Sequence, residues 1–277
     1  MLISFLGRGC AALVVVWVLA TGAFANNVGL SYLEALGRPG ALPDRIAYVP
    51  PSRIDPAYTH VIYVNAATSG AAAQKMWVLE RSRSGWRTAL WDAGYWEGKL
   101  TGSQRPPYSW PVSTGRKYPG EKRSGPTPLG IFNMDERNSR HRRGWGSPGM
   151  WNSIYIDLHY NSGRASGVAM HGTTRGLYRR LGTADSHGCV RMHQSNADQI
   201  WAMIHPNNVK GEASPLWGRV PRYFRSEPNP NFSVRRGYVR DGSLLYPEVA
   251  SNADTHAERL ERDGYTVLLV FYRDDLK

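Results

Sequence analysis

The chain has 277 residues, with 34 lysines and arginines against 22 aspartates and glutamates, a formal charge of +12 and two cysteines. That length suits one large or two small domains with a real core, and so few cysteines exclude a disulfide-stapled scaffold. A basic excess of this size calls for an anionic neighbour: wall polymer, lipid headgroups or nucleic acid.

Residues 1–25 read as a secretory signal peptide. Arg8 supplies the positive start, Ala11 to Ala20 an apolar run, and Ala23-Phe24-Ala25 an A-x-A cleavage site. An uncleaved anchor is the alternative, but the run is too short to span a bilayer comfortably. Cleavage removes Arg8 and Cys10, leaving +11 and Cys189 as the single cysteine. In an oxidising compartment a free thiol is seldom kept without a chemical reason. The mature chain is expected to be exported, periplasmic or cell-wall associated, without stable membrane insertion. Export makes nucleic acid the poorest of the three partners.

Residues 26–56 carry Pro43, Pro50, Pro51 and Pro56 with little periodicity and predict an extended N-terminal arm, packed over a neighbouring surface or mobile. Residues 57–206 hold a series of β-rich runs: His60–Val64, Lys75–Leu79, Arg87–Trp91, Trp110–Ser113, Leu129–Phe132, Ser153–His159 and Gly167–Met170. They predict a mainly β domain, sheet on sheet or a closed barrel. One helix is well marked. Ser195-Asn196-Ala197-Asp198 reads as a capping box, Ala197, Ile200, Trp201 and Ile204 form an apolar stripe, and Pro206 ends the run. Residues 207–277 read as a C-terminal extension packed on this domain, with a short helix over Ala253–Arg262 and a buried strand over Tyr265–Tyr272.

The chemistry concentrates in Ser186-His187-Gly188-Cys189-Val190-Arg191, downstream of His171-Gly172-Thr173. A thiolate is the reactive form of cysteine, and unassisted thiol is only a few per cent ionised at neutral pH. His171 and His187 are both candidates to take its proton. An extended segment would place His187 on the face of Cys189, whereas a turn would separate them. Gly188 permits such a turn and leaves backbone N–H groups near Cys189 for an oxyanion. Flanking His, Gly and Arg weigh against a cysteine that only packs. A zinc site of His171, His187, Cys189 and His193 is disfavoured, because His-x-Cys is not a usual ligand pair. The chemistry calls for no cofactor. Arg191 and the stretch Arg137 to Arg143 can hold carboxylates, or else serve as a brace and a solvated loop. Trp145, Trp151 and Tyr155 are candidates for the floor of a peptide cleft or for core, and Thr173 to Asp185 reads as a mobile loop over the site.

At these residues the sequence resembles the L,D-transpeptidase (YkuD-type) catalytic domain. His171 is followed by fourteen residues, then Ser186-His187-Gly188-Cys189, Val190 and Arg191. Pro111-Val112-Ser113-Thr114-Gly115 and Thr127-Pro128-Leu129-Gly130-Ile131-Phe132 are similar to the family's other recurrent segments. The resemblance implies a β-sandwich of mixed sheets with a few short helices, acting on peptidoglycan stem peptides. By matching position it implies Cys189 as nucleophile and His171 as proton donor and acceptor, with Ser186, His187, Gly188, Arg191, Gly172 and Thr173 lining the site. Cross-linking, protein attachment and hydrolysis as an L,D-carboxypeptidase share the same first half-reaction. A non-enzymatic wall-binding module is disfavoured, because both Cys189 and His171 are present. A competent thiolate should also accept a carbapenem adduct.

Overall fold

In a computed structural model the described residues are 29–43, 46–96, 107–138, 143–144, 147–160, 164–221, 232–233, 239–240, 243–244 and 261–276. The expected signal peptide falls outside them, and no helix among them is long and apolar enough to cross a membrane. Residues 29–36 form helix α1. The strands β1 (His60–Asn65), β2 (Lys75–Ser82), β3 (Gly85–Thr88), β4 (Ser109–Pro111) and β5 (Gly130–Asn133) follow, with the short helix α2 (Ala93–Trp96) between β3 and β4. Then come β6 (Trp151–Tyr155), β7 (Ala169–Gly172), β8 (Val190–Met192), helix α3 (Gln194–Ile204), β9 (Trp217–Pro221), β10 (Glu261–Tyr265) and β11 (Val267–Tyr272).

The main sheet is mixed and six-stranded, in the order β3-β2-β1-β11-β5, with β4 also pairing β2. β1 runs parallel to β11, His60 opposite Val267, and antiparallel to β2. The β-branched and aromatic residues of these strands alternate between two cores. Ile62, Val64, Met76, Val78, Leu269 and Phe271 face one core, and Val61, Tyr63, Trp77, Leu79, Val270 and Tyr272 face the other. A sheet buried on both faces reads as a nearly continuous apolar run, as Val267–Tyr272 does.

A smaller sheet, in the order β8-β7-β6, packs with α3 over the first face. Its contribution is Ile154, Met170, Val190 and Met192, joined by Ala197, Ile200, Trp201 and Ile204 of α3. The architecture is therefore the expected mainly β one, mixed sheet on sheet with a few short helices.

Four expectations differ from the structure. The N-terminal region is not an extended arm: residues 29–36 are helical, and Leu33, Ile46, Val49 and Ile54 fill the second core. Leu30, Leu33 and Leu36 do stand at helical spacing, a short signal outweighed by the prolines that follow, and they cover the second face of the main sheet. Residues 207–277 are not an appended extension, because β11 sits between β1 and β5 at the middle of the main sheet. Its strand was legible, but its partner lies some two hundred residues away. Of the helix expected over 253–262, residues up to 260 lie outside the described ones, and Glu261 and Arg262 belong to β10 paired with β9. Finally α3 begins one residue before the expected capping box. His193 is its N-cap, and the ring accepts from the Ser195 N–H.

Leu33 is fully buried. Leu33→Ala should therefore cost about 2–5 kcal/mol in chemical denaturation. No loss would mean that this region merely rests on the fold.

Candidate active site

The register of the small sheet decides which side chains meet. β7 and β8 run parallel, with Met170 opposite Val190 and His171 opposite Arg191. β6 pairs with β7 antiparallel, Ala169 opposite Tyr155. Alternation sends Ile154, Met170, Val190 and Met192 into the core. The other face then carries Tyr155, Ala169, His171 and Arg191, and Cys189 enters it just before β8. Tyr155, Ala169 and Met150 form a small apolar cluster with the partly buried Cys189 packed against it. Opposite His171 the ladder shifts register, and β6 holds an extra residue beside Asn152 at φ 52°. Bulges of this kind re-aim neighbouring side chains.

The turn before Cys189 is fixed by hydrogen bonds at each residue. Ser186, fully buried, donates its hydroxyl to the Cys189 carbonyl and accepts from the Gly188 N–H at 3.1 Å. The Ser186 N–H donates to the Thr114 carbonyl at 2.9 Å. Thr127 Oγ1 accepts from the Gly115 N–H at 2.7 Å and donates to the Gly188 carbonyl at 2.8 Å. Gly188 has φ 145°, a conformation that side chains disfavour. Gly115 is needed for closeness instead: a Cβ there would lie 2.5 Å from Gly188 Cα and 2.4 Å from the Gly125 carbonyl. The two resembling segments thus hold the turn from one side, through Ser113 to Gly115 and through Thr127. Ser113 and Arg191 exchange two backbone hydrogen bonds, at 2.8 and 2.9 Å.

Residues 98–221 match the family model YkuD, the L,D-transpeptidase catalytic domain. No curated protein matches the chain. Among solved structures, it is similar to an L,D-transpeptidase from Mycobacterium tuberculosis at 18% identity, over 55% of this chain and 54% of that one, with a TM-score of 0.32. An L,D-transpeptidase from Mycobacterium smegmatis aligns at 16% identity over 53% and 54%, TM-score 0.29. An L,D-transpeptidase in complex with imipenem aligns at 18% identity over 52% and 54%, TM-score 0.30. The chain spans about half the length of those structures, and superpositions this loose add nothing to the family match.

Within the matched segment the imidazole of His171 is buried, and Nδ1 lies 2.8 Å from the Gly172 carbonyl. An acceptor there fixes the tautomer: Nδ1 carries the proton and Nε2 keeps its lone pair. Burial lowers the pKa of His171 to about 4, with the Gly172 carbonyl opposing and the Arg191 charge adding to the shift. Burial pushes the Cys189 thiol up, against the Ala169 backbone N–H and the charge of Arg191. Both groups are therefore uncharged at neutral pH, a thiol and a neutral base on one face of the small sheet. Tyr155 keeps its phenolic proton through burial first and the neighbouring Cys189 second.

The other expected residues divide. Gly172 lets α3 approach, since a Cβ would meet Gln194 and Ala197 at 3.2–3.3 Å. Thr173 is buried and donates its N–H to the Met192 carbonyl at 3.0 Å. Arg191 donates Nη1 to the Asp185 carbonyl at 2.8 Å. His187 stands apart from His171: its exposed ring stacks on Tyr118 at 4.6 Å and pairs with Glu121 at 2.8 Å. The turn at Gly188 separates it from the face an extended segment would share. His193 caps α3 instead of joining the others. Residues 175–180 form a 3-10 helix within the expected loop. Arg137 is paired with Asp135 at 2.7 Å. Trp145 and residues 139–142 lie outside the described residues, and nothing is assigned to the Arg143 side chain. Trp151 donates to Asp198 at 3.2 Å. Sequence reasoning missed Tyr118 and Glu121, which no local pattern singles out, and it named Thr127 and Asp185 only as the ends of segments, without a role.

Gly115→Ala should destabilise the protein by about 1–3 kcal/mol and slow modification of Cys189, measured by denaturation and by timed alkylation. Wild-type rates of alkylation would show that the turn does not depend on this approach. The raised thiol pKa predicts a second outcome. Iodoacetamide alkylation of Cys189 should keep rising past about pH 8.5, the midpoint of an ordinary thiol, because deprotonation is delayed. A plateau below neutrality would reveal a preformed thiolate–imidazolium pair.

Proposed function

We propose that this chain is an L,D-transpeptidase that uses Cys189 as its nucleophile on peptidoglycan tetrapeptide stems, in an exported, wall-associated protein. The observation that carries the reading is the shared face of His171 and Cys189, with the His171 lone pair left open by the Nδ1 contact to Gly172. His171 Nε2 takes the proton of Sγ as sulfur attacks the carbonyl between the third stem residue and the terminal D-alanine. The carbonyl becomes an oxyanion. The backbone N–H of Cys189 is the candidate donor, since the Gly188 N–H is already held by Ser186. The protonated phenol of Tyr155 is a second donor on the same face.

Collapse of this intermediate breaks the C–N bond, and D-alanine leaves with the proton from His171. A thioester on Cys189 remains. An amine of a neighbouring stem then attacks the thioester, passes its proton to His171, and forms a new peptide bond as the C–S bond breaks. The proton returns to sulfur. The buried, neutral state of both groups suits this cycle, because each charge appears only while its partner is present. Arg191, near both, favours the thiolate and disfavours the imidazolium.

Intact-mass spectrometry should find a carbapenem adduct on the wild-type protein and none on Cys189→Ala, which should also lose D-alanine release from purified muropeptides. His171→Gln should slow acylation by about 10²–10⁴-fold. D-Alanine release by Cys189→Ala at the wild-type rate would overturn the scheme.

A further inference from the structure

Asp185, four residues before Cys189, gathers three arginines and a tyrosine. Arg116 Nη2 lies 2.9 Å from Oδ1, and Arg180 Nε lies 3.5 Å from Oδ2. Arg191 Nη1 and the Tyr118 hydroxyl both donate to the Asp185 carbonyl, at 2.8 and 2.7 Å. Tyr118 also reaches Oδ1 at 3.1 Å. Two guanidinium charges thus share one carboxylate and a third is tied to the backbone carbonyl of the same residue, so the carboxylate leaves positive charge over. A solvated ion pair would match one to one. Here Asp185, only 14% exposed, holds the arginines in place without neutralising them, while the side chains of Arg116 and Arg180 are 52% and 51% exposed.

The surplus is directed rather than diffuse. Arg116 lies over the Tyr118 ring at 4.5 Å, and that ring stacks on His187, so the guanidinium is presented on an aromatic shelf. Glu121 is committed to His187, and Lys117 to the carbonyls of Glu121 and Ser124. The shelf adjoins the thiol: Gly115 packs against Gly188, and the charge of Arg191 acts on both Cys189 and His171. Each guanidinium has five N–H donors in a planar fork that matches a carboxylate in two parallel bonds.

We propose that Arg116 and Arg180, with Arg191, form a carboxylate-reading wall that selects acyl donors carrying a free carboxylate. This rests on the transpeptidase reading and adds to it a specificity determinant. The recognised group is either a side-chain carboxylate on the retained stem or the terminal carboxylate of the departing residue.

The test uses four tetrapeptide donors: both carboxylates free, the side-chain one amidated, the terminal one amidated, and both amidated. Acylation of Cys189 in the full chain is followed by intact mass, as kcat/KM. Amidating the recognised carboxylate should lower the wild-type value by about tenfold to a hundredfold, and the donor that shows the fall identifies its source. The double variant Arg116→Gln/Arg180→Gln should lose that preference, falling more on the free donor than on the amidated one. Arg116→Lys/Arg180→Lys, which keeps charge without the fork, should restore part of it. Equal wild-type rates on all four donors, or an equal fall on all four in the Gln pair, would overturn the wall and leave the transpeptidase reading intact. Failure of every stem peptide to acylate the wild-type protein would overturn both.

Discussion

The parallel pairing of β7 with β8 is the constraint on which the site depends. In a strand the side chains alternate, so a slip of one residue would send Cys189 and Arg191 toward the core and Val190 out. The register is held on both sides. Met170, Val190 and Met192 are buried with α3 packed over them, and Ser113 clasps Arg191 from the opposite edge with a pair of backbone hydrogen bonds. A bulge in β6 opposite His171 takes up the extra residue while Ile154 and Met170 stay paired in the core.

That arrangement brings together two groups that the interior would rather keep uncharged. Desolvation lowers the basicity of His171 and the acidity of Cys189 alike. A sulfur more exposed would ionise more readily, but its thiolate would be solvated and a weaker nucleophile toward a buried carbonyl. Arg191 moderates the balance from the same face, favouring negative charge on sulfur. Its own position follows from the Asp185 carbonyl, so the electrostatics of the thiol are tied to the turn that precedes it.

The sequence reveals most where the chemistry is local. Ser186 to Arg191 is a contiguous run, and each residue has a task that can be argued from its neighbours: a glycine for the turn, a serine to brace it, a thiol to react. The strands around Ile62, Val78 and Phe132 are legible for the same reason, since β-rich runs punctuated by Gly and Pro announce themselves. What stays hidden is long-range. Tyr118 and Asp185 meet across 67 positions, and nothing near either residue indicates the other. Which of His171 and His187 shares the face of Cys189 is also a matter of geometry, because it turns on whether residues 187–189 are extended or bent. β11 is legible as a strand but not as a central one, because a local pattern identifies an element without its neighbour, and the short helical signal of Leu30, Leu33 and Leu36 is masked by the prolines after it.

The two central strands β1 and β11 lie outside residues 98–221, the segment that matches the family, yet the site leans on the sheet they organise. The link is Gln74, buried at the start of β2 with φ 52°. Its side-chain amide donates to Thr114 Oγ1 at 2.8 Å and to the Ala67 carbonyl at 3.0 Å, while its oxygen accepts from the Thr114 N–H at 2.8 Å. Thr114 in turn accepts the Ser186 N–H, and Ser186 braces Gly188 and Cys189. A rigid six-stranded sheet is thereby connected, through one amide and one threonine, to the turn that carries the thiol. Preorganisation of this kind is what a nucleophile needs, since errors of about 1 Å in placement can cost about 10²-fold in rate. The matched segment holds Cys189 and His171, and the flanking strands supply the stiffness that keeps their turn and strands in register.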